Sequence, residues 1–145
     1  MQHQFYIKGE PVRAPRMTRR DRWAKRPAVV KYYEWSNSAR QQCFGATHRK
    51  IDGAKIDDLE VVFYLPIAAS MSAPKRAILE GQRHAGYPDI DNLLKALLDA
   101  LVSQDKHVWR VRAEKRYQRP GEDAHVEVII TLKERLDDSL VTMEL

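Results

Sequence analysis

Cysteine is almost missing from this chain: Cys43 stands alone among 145 residues. That excludes an internal disulfide framework and a CxxC zinc site. The five histidines (His3, His48, His84, His107 and His125) are scattered without an HxxxH pair, so they offer no zinc set. No apolar run reaches the roughly 18 residues of a membrane helix, and the N-terminus lacks the apolar core of a signal peptide. Glycine (6) and proline (7) are too few for a fibrous or low-complexity chain. These absences lead us to expect a soluble, cytoplasmic chain with no membrane partner. Leu, Ile, Val and Phe supply 34 residues, enough for the core of one domain of this size.

Charge is informative by its placement. The whole chain carries +5, yet Lys8 to Lys31 holds nine basic residues (Lys8, Arg13, Arg16, Arg19, Arg20, Arg22, Lys25, Arg26, Lys31) against Glu10 and Asp21, a net of +7. From Glu134 to Leu145 the sign reverses, with Glu134, Asp137, Asp138 and Glu144 against Arg135. A basic segment of this density suits a polyanion, above all nucleic acid, while the acidic end reads as a solvated tail. We therefore divide the chain into a domain over 1–133 and a tail over 134–145. Arg13, Arg16, Arg19, Arg20, Lys25 and Arg26 are the candidate DNA contacts, with Trp23 among them.

Periodicity and punctuation predict the elements. Strands are expected at Gln4–Lys8, Asp58–Leu65, Val108–Tyr117 and Ala124–Leu132. Helices are expected at Pro27–Phe44, with Pro27 in its first turn and Gly45 as its stop, at Ser72–Arg83, and at Asp91–Ser103. In the first helix, Val30, Tyr33, Ala39 and Phe44 are the apolar candidates. Pro11, Pro15 and Pro27 keep the basic segment out of helix. The turn at Pro120-Gly121 suggests that the last two strands form a hairpin. The order β-α-β-α-α-β-β indicates an α+β fold, one domain with a mixed sheet packed by helices.

The chemistry concentrates in Tyr87-Pro-Asp-Ile-Asp-Asn-Leu-Leu-Lys-Ala-Leu-Leu-Asp-Ala-Leu101. Advancing about 100° per residue from Asp91 puts Leu93, Leu94, Leu97, Leu98 and Leu101 between about 200° and 340°. Asp91, Lys95, Asp99 and Asn92 fall within about 100° on the other side. One face is therefore for burial, and the other shows a carboxylate-lysine-carboxylate column. Asp89, two residues ahead of Asp91, points the same way in an extended lead-in, so the two carboxylates converge at the helix start. Close carboxylates repel unless a cation or proton lies between them. Oxygen-only donors suit Mg²⁺, with Mn²⁺ as a substitute, waters and a substrate phosphate completing the shell. Asp105 beyond the helix is the candidate third acid, and Asp99 the other carboxylate on the stripe.

Blander readings compete with this one. Asp at a helix start often serves only as a cap, and Lys95 with Asp99 has the spacing of an exposed i,i+4 pair. A calcium loop counted from Asp89 needs Gly and Glu where Leu94 and Ala100 stand, so it is excluded. A restriction-like nuclease would use Pro88-Asp89, but it needs a D/E-x-K, whereas Glu114 and Lys115 are adjacent.

The string Asp89-Ile-Asp-Asn-Leu-Leu-Lys95, running into a leucine-rich helix and a later aspartate, resembles the signature of the RusA family of Holliday-junction resolvases. Val12-Arg-Ala-Pro-Arg-Met-Thr-Arg19 is similar to that family's basic N-terminal stretch, and Val108–Tyr117 to the strand after its third acid. The resemblance spans roughly residues 3–133. It implies a Mg²⁺-dependent endonuclease on four-way DNA junctions, with Asp89, Asp91 and Asp105 as metal ligands and Lys95 at the scissile phosphate. Two symmetric nicks from a chain with one acidic cluster imply a homodimer. A basic, non-catalytic DNA-binding or replication-accessory module is the competing reading.

Overall fold

The structure, a computed structural model, describes residues 1–22, 26–45 and 49–134. Strand β1 (Gln2–Lys8) leads through the proline-punctuated basic segment to helix α1 (Pro27–Phe44). The short strand β2 (Ile51–Asp52), strand β3 (Ile56–Leu65) and helix α2 (Ala73–Leu79) follow. Helix α3 (Ile90–Leu101) then gives way to strands β4 (Val102–Ser103), β5 (Val111–Tyr117) and β6 (His125–Leu132). The order of the main elements is the one the sequence predicts, in an α+β domain with a mixed sheet.

The main sheet has the order β1-β6-β3-β5. β6 runs antiparallel to both β1 and β3, whereas β5 runs parallel to β3, with Val61 opposite both Val128 and Ala113. The expected closing hairpin is therefore absent: β3 lies between β5 and β6. A ten-residue strand with Leu59, Val61, Phe63 and Leu65 buried needs partners on both edges. Taking the centre, it separates two strands that are neighbours only in sequence.

Alternation sets the inner face. Leu59, Val61, Phe63 and Leu65 of β3, Val126, Val128 and Ile130 of β6, and Ile7 of β1 are buried in one cluster with α1 and α3. Each such side chain contributes about 1.5–3 kcal/mol on burial. On the outer face Arg110 pairs with Asp58 at 3.4 Å and Arg112 with Glu60 at 3.0 Å, exposed contacts worth up to about 1 kcal/mol each.

The helices differ from expectation in detail. α1 ends at Gly45, whose φ of 67° suits glycine. It buries Val29, Tyr32, Trp35, Ser36 and Ala39, steps of three or four that make one stripe. Val30 and Tyr33, expected inside, lie one position round and are exposed. α2 stops at Leu79, short of the expected Arg83, and Gly81 follows at φ 74°. α3 stops at Leu101 because Val102–Ser103 leave it to pair in parallel with β2. Ala96 and Ala100 are fully buried beside the leucines, so the buried face of α3 is wider than a leucine stripe. The small alanines let α1 approach: the Arg40 Nε–H donates to the Ala100 carbonyl at 3.0 Å.

Candidate active site

α3 presents its polar column as the spacing required: Asp91 and Lys95 are exposed while Leu93, Leu97 and Leu101 are buried. Asp89 occupies the N-cap position, yet its side chain makes no cap hydrogen bond. Asp91 Oδ1 accepts the Asn92 N–H at 2.9 Å. The capping role that usually explains an aspartate here is thus unfilled by Asp89, whose carboxylate stays exposed. No ion pair joins Lys95 to Asp91 or Asp99 among the described residues, so the surface-pair reading also fails. Two acidic side chains are left facing solvent at the positive end of the helix, where negative charge is favoured, and Lys95 is exposed one turn further along.

The lead-in to Asp89 is fixed by other elements. Gln82–His84 pairs onto the edge of β5: the Tyr117 N–H donates to the Gln82 carbonyl at 2.8 Å and the His84 N–H to the Lys115 carbonyl at 3.0 Å. The Gly86 N–H donates to His84 Nδ1 at 3.2 Å. Desolvation, and then the Lys115 ammonium, hold His84 below the usual imidazole range, consistent with a neutral ring accepting that bond. The Lys115 ammonium donates to the Gly86 carbonyl at 2.5 Å and to the Pro88 carbonyl at 2.8 Å. On the other side, the Arg13 guanidinium lies 5.3 Å from the centre of the Tyr87 ring, and the Ala14 N–H donates to the Asn92 carbonyl at 3.0 Å.

Beside this corner opens a cleft of about 390 Å³ whose lining includes Arg13, Lys31, His84, Tyr87 and Pro88. Arg13 and Lys31 come from the basic segment and share the lining with Glu10, so that segment reaches Pro88, the residue before Asp89. Arg16, Arg19 and Arg20 are exposed nearby in sequence. Arg26 is different: its guanidinium turns back to the Arg16 carbonyl at 2.9 Å. Lys25 and Trp23 lie outside the described residues.

The third acid does not join the pair within one chain. Asp105 begins the 3-10 turn Asp105–His107, past the far end of α3, a helix with about 18 Å of rise. It belongs to the end of the sheet where β3 and β5 begin: the Leu59 N–H meets the Arg110 carbonyl. There Gly53 lets β2 and β4 close up, because a Cβ at that position would collide with the Gln104 carbonyl. Asp89 belongs to the opposite end, beside Lys115. Among the described residues, no three of His, Cys, Asp and Glu gather as a metal set. The expectation that Asp105 returns to the Asp89 corner is thus not met in a single chain, because α3 and β5 hold the two apart. Asp99 does not replace it: its Oδ2 accepts the Tyr32 hydroxyl at 2.9 Å. Burial, then that hydrogen bond and the charge of Asp99, push the Tyr32 phenol upward.

The donors at hand fit a hard divalent cation. Two exposed carboxylates two residues apart, Asp89 without a cap bond and Asp91 holding the Asn92 N–H through one oxygen, match the one or two carboxylates by which Mg²⁺ is usually held, with water and phosphate completing the shell. Lys115, adjacent to Glu114 and so outside any D/E-x-K, carries no sequence signal for its bonds to the Gly86 and Pro88 carbonyls. Its partners are 29 and 27 residues away in the chain, and no local pattern marks such a contact.

The sequence profile described as endodeoxyribonuclease RusA matches residues 8–131, which span the basic segment, the cleft, the acidic corner and every strand except β1, of which only Lys8 is matched, and the last residue of β6. No curated protein and no solved structure matches the chain. No helix among the described residues is long and apolar enough to cross a membrane. The chain belongs to the RusA family of endodeoxyribonucleases, the resolvases of Holliday junctions.

Proposed function

We propose that this protein is a Mg²⁺-dependent, structure-selective endonuclease that resolves four-way DNA junctions by paired symmetric phosphodiester hydrolysis, acting as a homodimer in the cytoplasm. The observation that carries the reading is the uncapped Asp89 carboxylate, exposed beside Asp91 and next to a basic cleft. Asp89 and Asp91 hold the cation, with Mn²⁺ as a substitute. When bound, Mg²⁺ lowers the pKa of a coordinated water and offsets charge building on the phosphate oxygens. Lys95, one helical turn from Asp91 on the exposed stripe, donates to a non-bridging oxygen and stabilises the same charge. Arg13 and Lys31 in the cleft, with Arg16, Arg19 and Arg20 beyond it, hold the DNA backbone by its phosphates rather than by its sequence. The nuclease unit is residues 1–133, and 134–145 is an acidic tail, of which 135–145 lie outside the described residues.

The dimer has a second role in this reading. Since α3 keeps Asp105 away from Asp89 and Asp91 of its own chain, a two-fold pair brings the third carboxylate to each site from the other subunit. A two-fold contact is isologous, so both sites gain it at once.

The test is cleavage of a synthetic four-way junction beside a linear duplex, with Mg²⁺ and with chelator. Symmetric nicks in the junction, dependent on metal, are expected. Tight junction binding without any cleavage would instead identify an accessory module, and equal cutting of the duplex a restriction-like enzyme.

A further inference from the structure

Lys115 stands opposite the buried Phe63, on the face of β5 turned toward the helices, whereas Arg112 and Arg116 alternate to the outer face. Arg110, Arg112, Arg116 and Arg119 each pair with a carboxylate, and Glu114, the immediate neighbour of Lys115, is taken by Arg116 at 2.6 Å. The Lys115 ammonium is directed instead at two backbone carbonyls, Gly86 and Pro88. The second of these belongs to the planar peptide that joins Pro88 to Asp89. Fixing that oxygen fixes the plane from which the Asp89 Cα and side chain start.

The Gln82–His84 pairs and the Gly86–His84 bond anchor the connector as far as Gly86. Beyond Gly86, Arg13 meets the Tyr87 ring, and Lys115 bonds the carbonyl of Pro88, the residue adjoining the candidate ligand. A neutral donor would serve to tie two carbonyls. An ammonium does so through charge-assisted hydrogen bonds, roughly twice as strong as neutral ones.

We propose that Lys115 is a positioning residue of the nuclease site: its ammonium orients the Pro88–Asp89 peptide and so sets the Asp89 carboxylate against Asp91 for the divalent cation. The assignment rests on the reading of Asp89 and Asp91 as the metal ligands. Groups that orient a metal ligand typically change metal affinity or activity by about 10–100-fold when removed.

Lys115→Met, Lys115→Arg and Asp91→Asn are compared with wild type as full-length protein. Mn²⁺ affinity is read by electron paramagnetic resonance, junction binding without divalent metal by mobility shift, and stability by urea unfolding. Lys115→Met is expected to weaken Mn²⁺ binding by about 10–100-fold, with little change in metal-free junction binding. Cleavage should recover in part at high Mn²⁺. Lys115→Arg, which still donates to two carbonyls, should retain most of the affinity. Should the Met variant not fold, Lys115→Gln keeps one donor and takes its place in the same titration.

Wild-type Mn²⁺ affinity in Lys115→Met, with Asp91→Asn impaired, overturns the role of Lys115 alone. Wild-type affinity in Asp91→Asn removes the two-carboxylate reading, and the Lys115 assignment with it.

Discussion

Tyr32 and Asp99, 67 residues apart, meet at 2.9 Å across the contact of α1 and α3, with the hydroxyl donating to the carboxylate. This bond ties the basic N-terminal half of the protein to the helix that carries the acidic corner. It also engages one carboxylate of the polar stripe in structure. Tyr32→Phe should lower stability by about 1.5–3 kcal/mol, the range for a hydrogen bond to a charged group. Asp99→Asn should leave metal-dependent cleavage within a few-fold of wild type. Urea midpoints and cleavage rates check both; loss of cleavage in Asp99→Asn comparable to that of Asp91→Asn would return Asp99 to the site.

Asp91→Asn removes charge while keeping size and most hydrogen bonding. The fold should persist, since asparagine is tolerated near a helix start. Cleavage should fall by several orders of magnitude, because water activation and leaving-group stabilisation are lost together. Junction binding should hold or tighten as repulsion of the phosphates lessens. Lys95→Ala should cut the rate with Mn²⁺ binding near normal. Near wild-type cleavage by Asp91→Asn with Mg²⁺ would make the acidic corner structural.

Mixing Asp91→Asn with Asp105→Asn subunits tests the shared site. If the acids of one site come from two chains, each mixed dimer holds one intact set and one doubly altered set, and nicking of a single strand returns. With all acids from one chain, every site in the mixture stays damaged and no activity appears. Sedimentation of the wild type as a fully active monomer at micromolar concentration would remove the dimer altogether.

Junction affinity should fall steeply with salt, log K against log[salt] sloping by about −0.9 for each phosphate neutralised on duplex DNA. Replacing Arg16, Arg19 and Arg20 with Ala should make the slope shallower. Arg26→Ala should change it less, because that side chain already bonds the Arg16 carbonyl. An unchanged slope in the triple variant would move the DNA surface elsewhere.

Burial pushes the Cys43 thiol up to about 12. Thiolate is the reactive form, so a disulfide reagent at pH 8 should label the folded protein far more slowly than the urea-unfolded chain. The folded state holds the proton more tightly, so this group's contribution to stability declines as pH rises above the unfolded value of about 8.5. Equal labelling rates in the two states would contradict the burial.

Local spacing determined the elements and the acidic corner. Pro27 and Gly45 delimit α1, the four-residue spacing of Leu93, Leu97 and Leu101 orients α3, and the two-residue step from Asp89 to Asp91 places both acids at its start. Those features depend on neighbours a few residues apart, so they are legible in the chain itself.

The tertiary structure decided the rest, because each remaining relationship joins residues far apart in sequence. β3 claimed the centre of the sheet by burying alternate residues, which parted β5 from β6 and left β5 as an edge. That edge captured Gln82–His84, and Lys115 thereby reached the carbonyl before Asp89. The pairing of β4 with β2 kept Asp105 at the other end of α3, and Tyr32 took Asp99. Side-chain chemistry proposed the candidate ligands; packing over tens of residues determined which of them share one corner of a single chain.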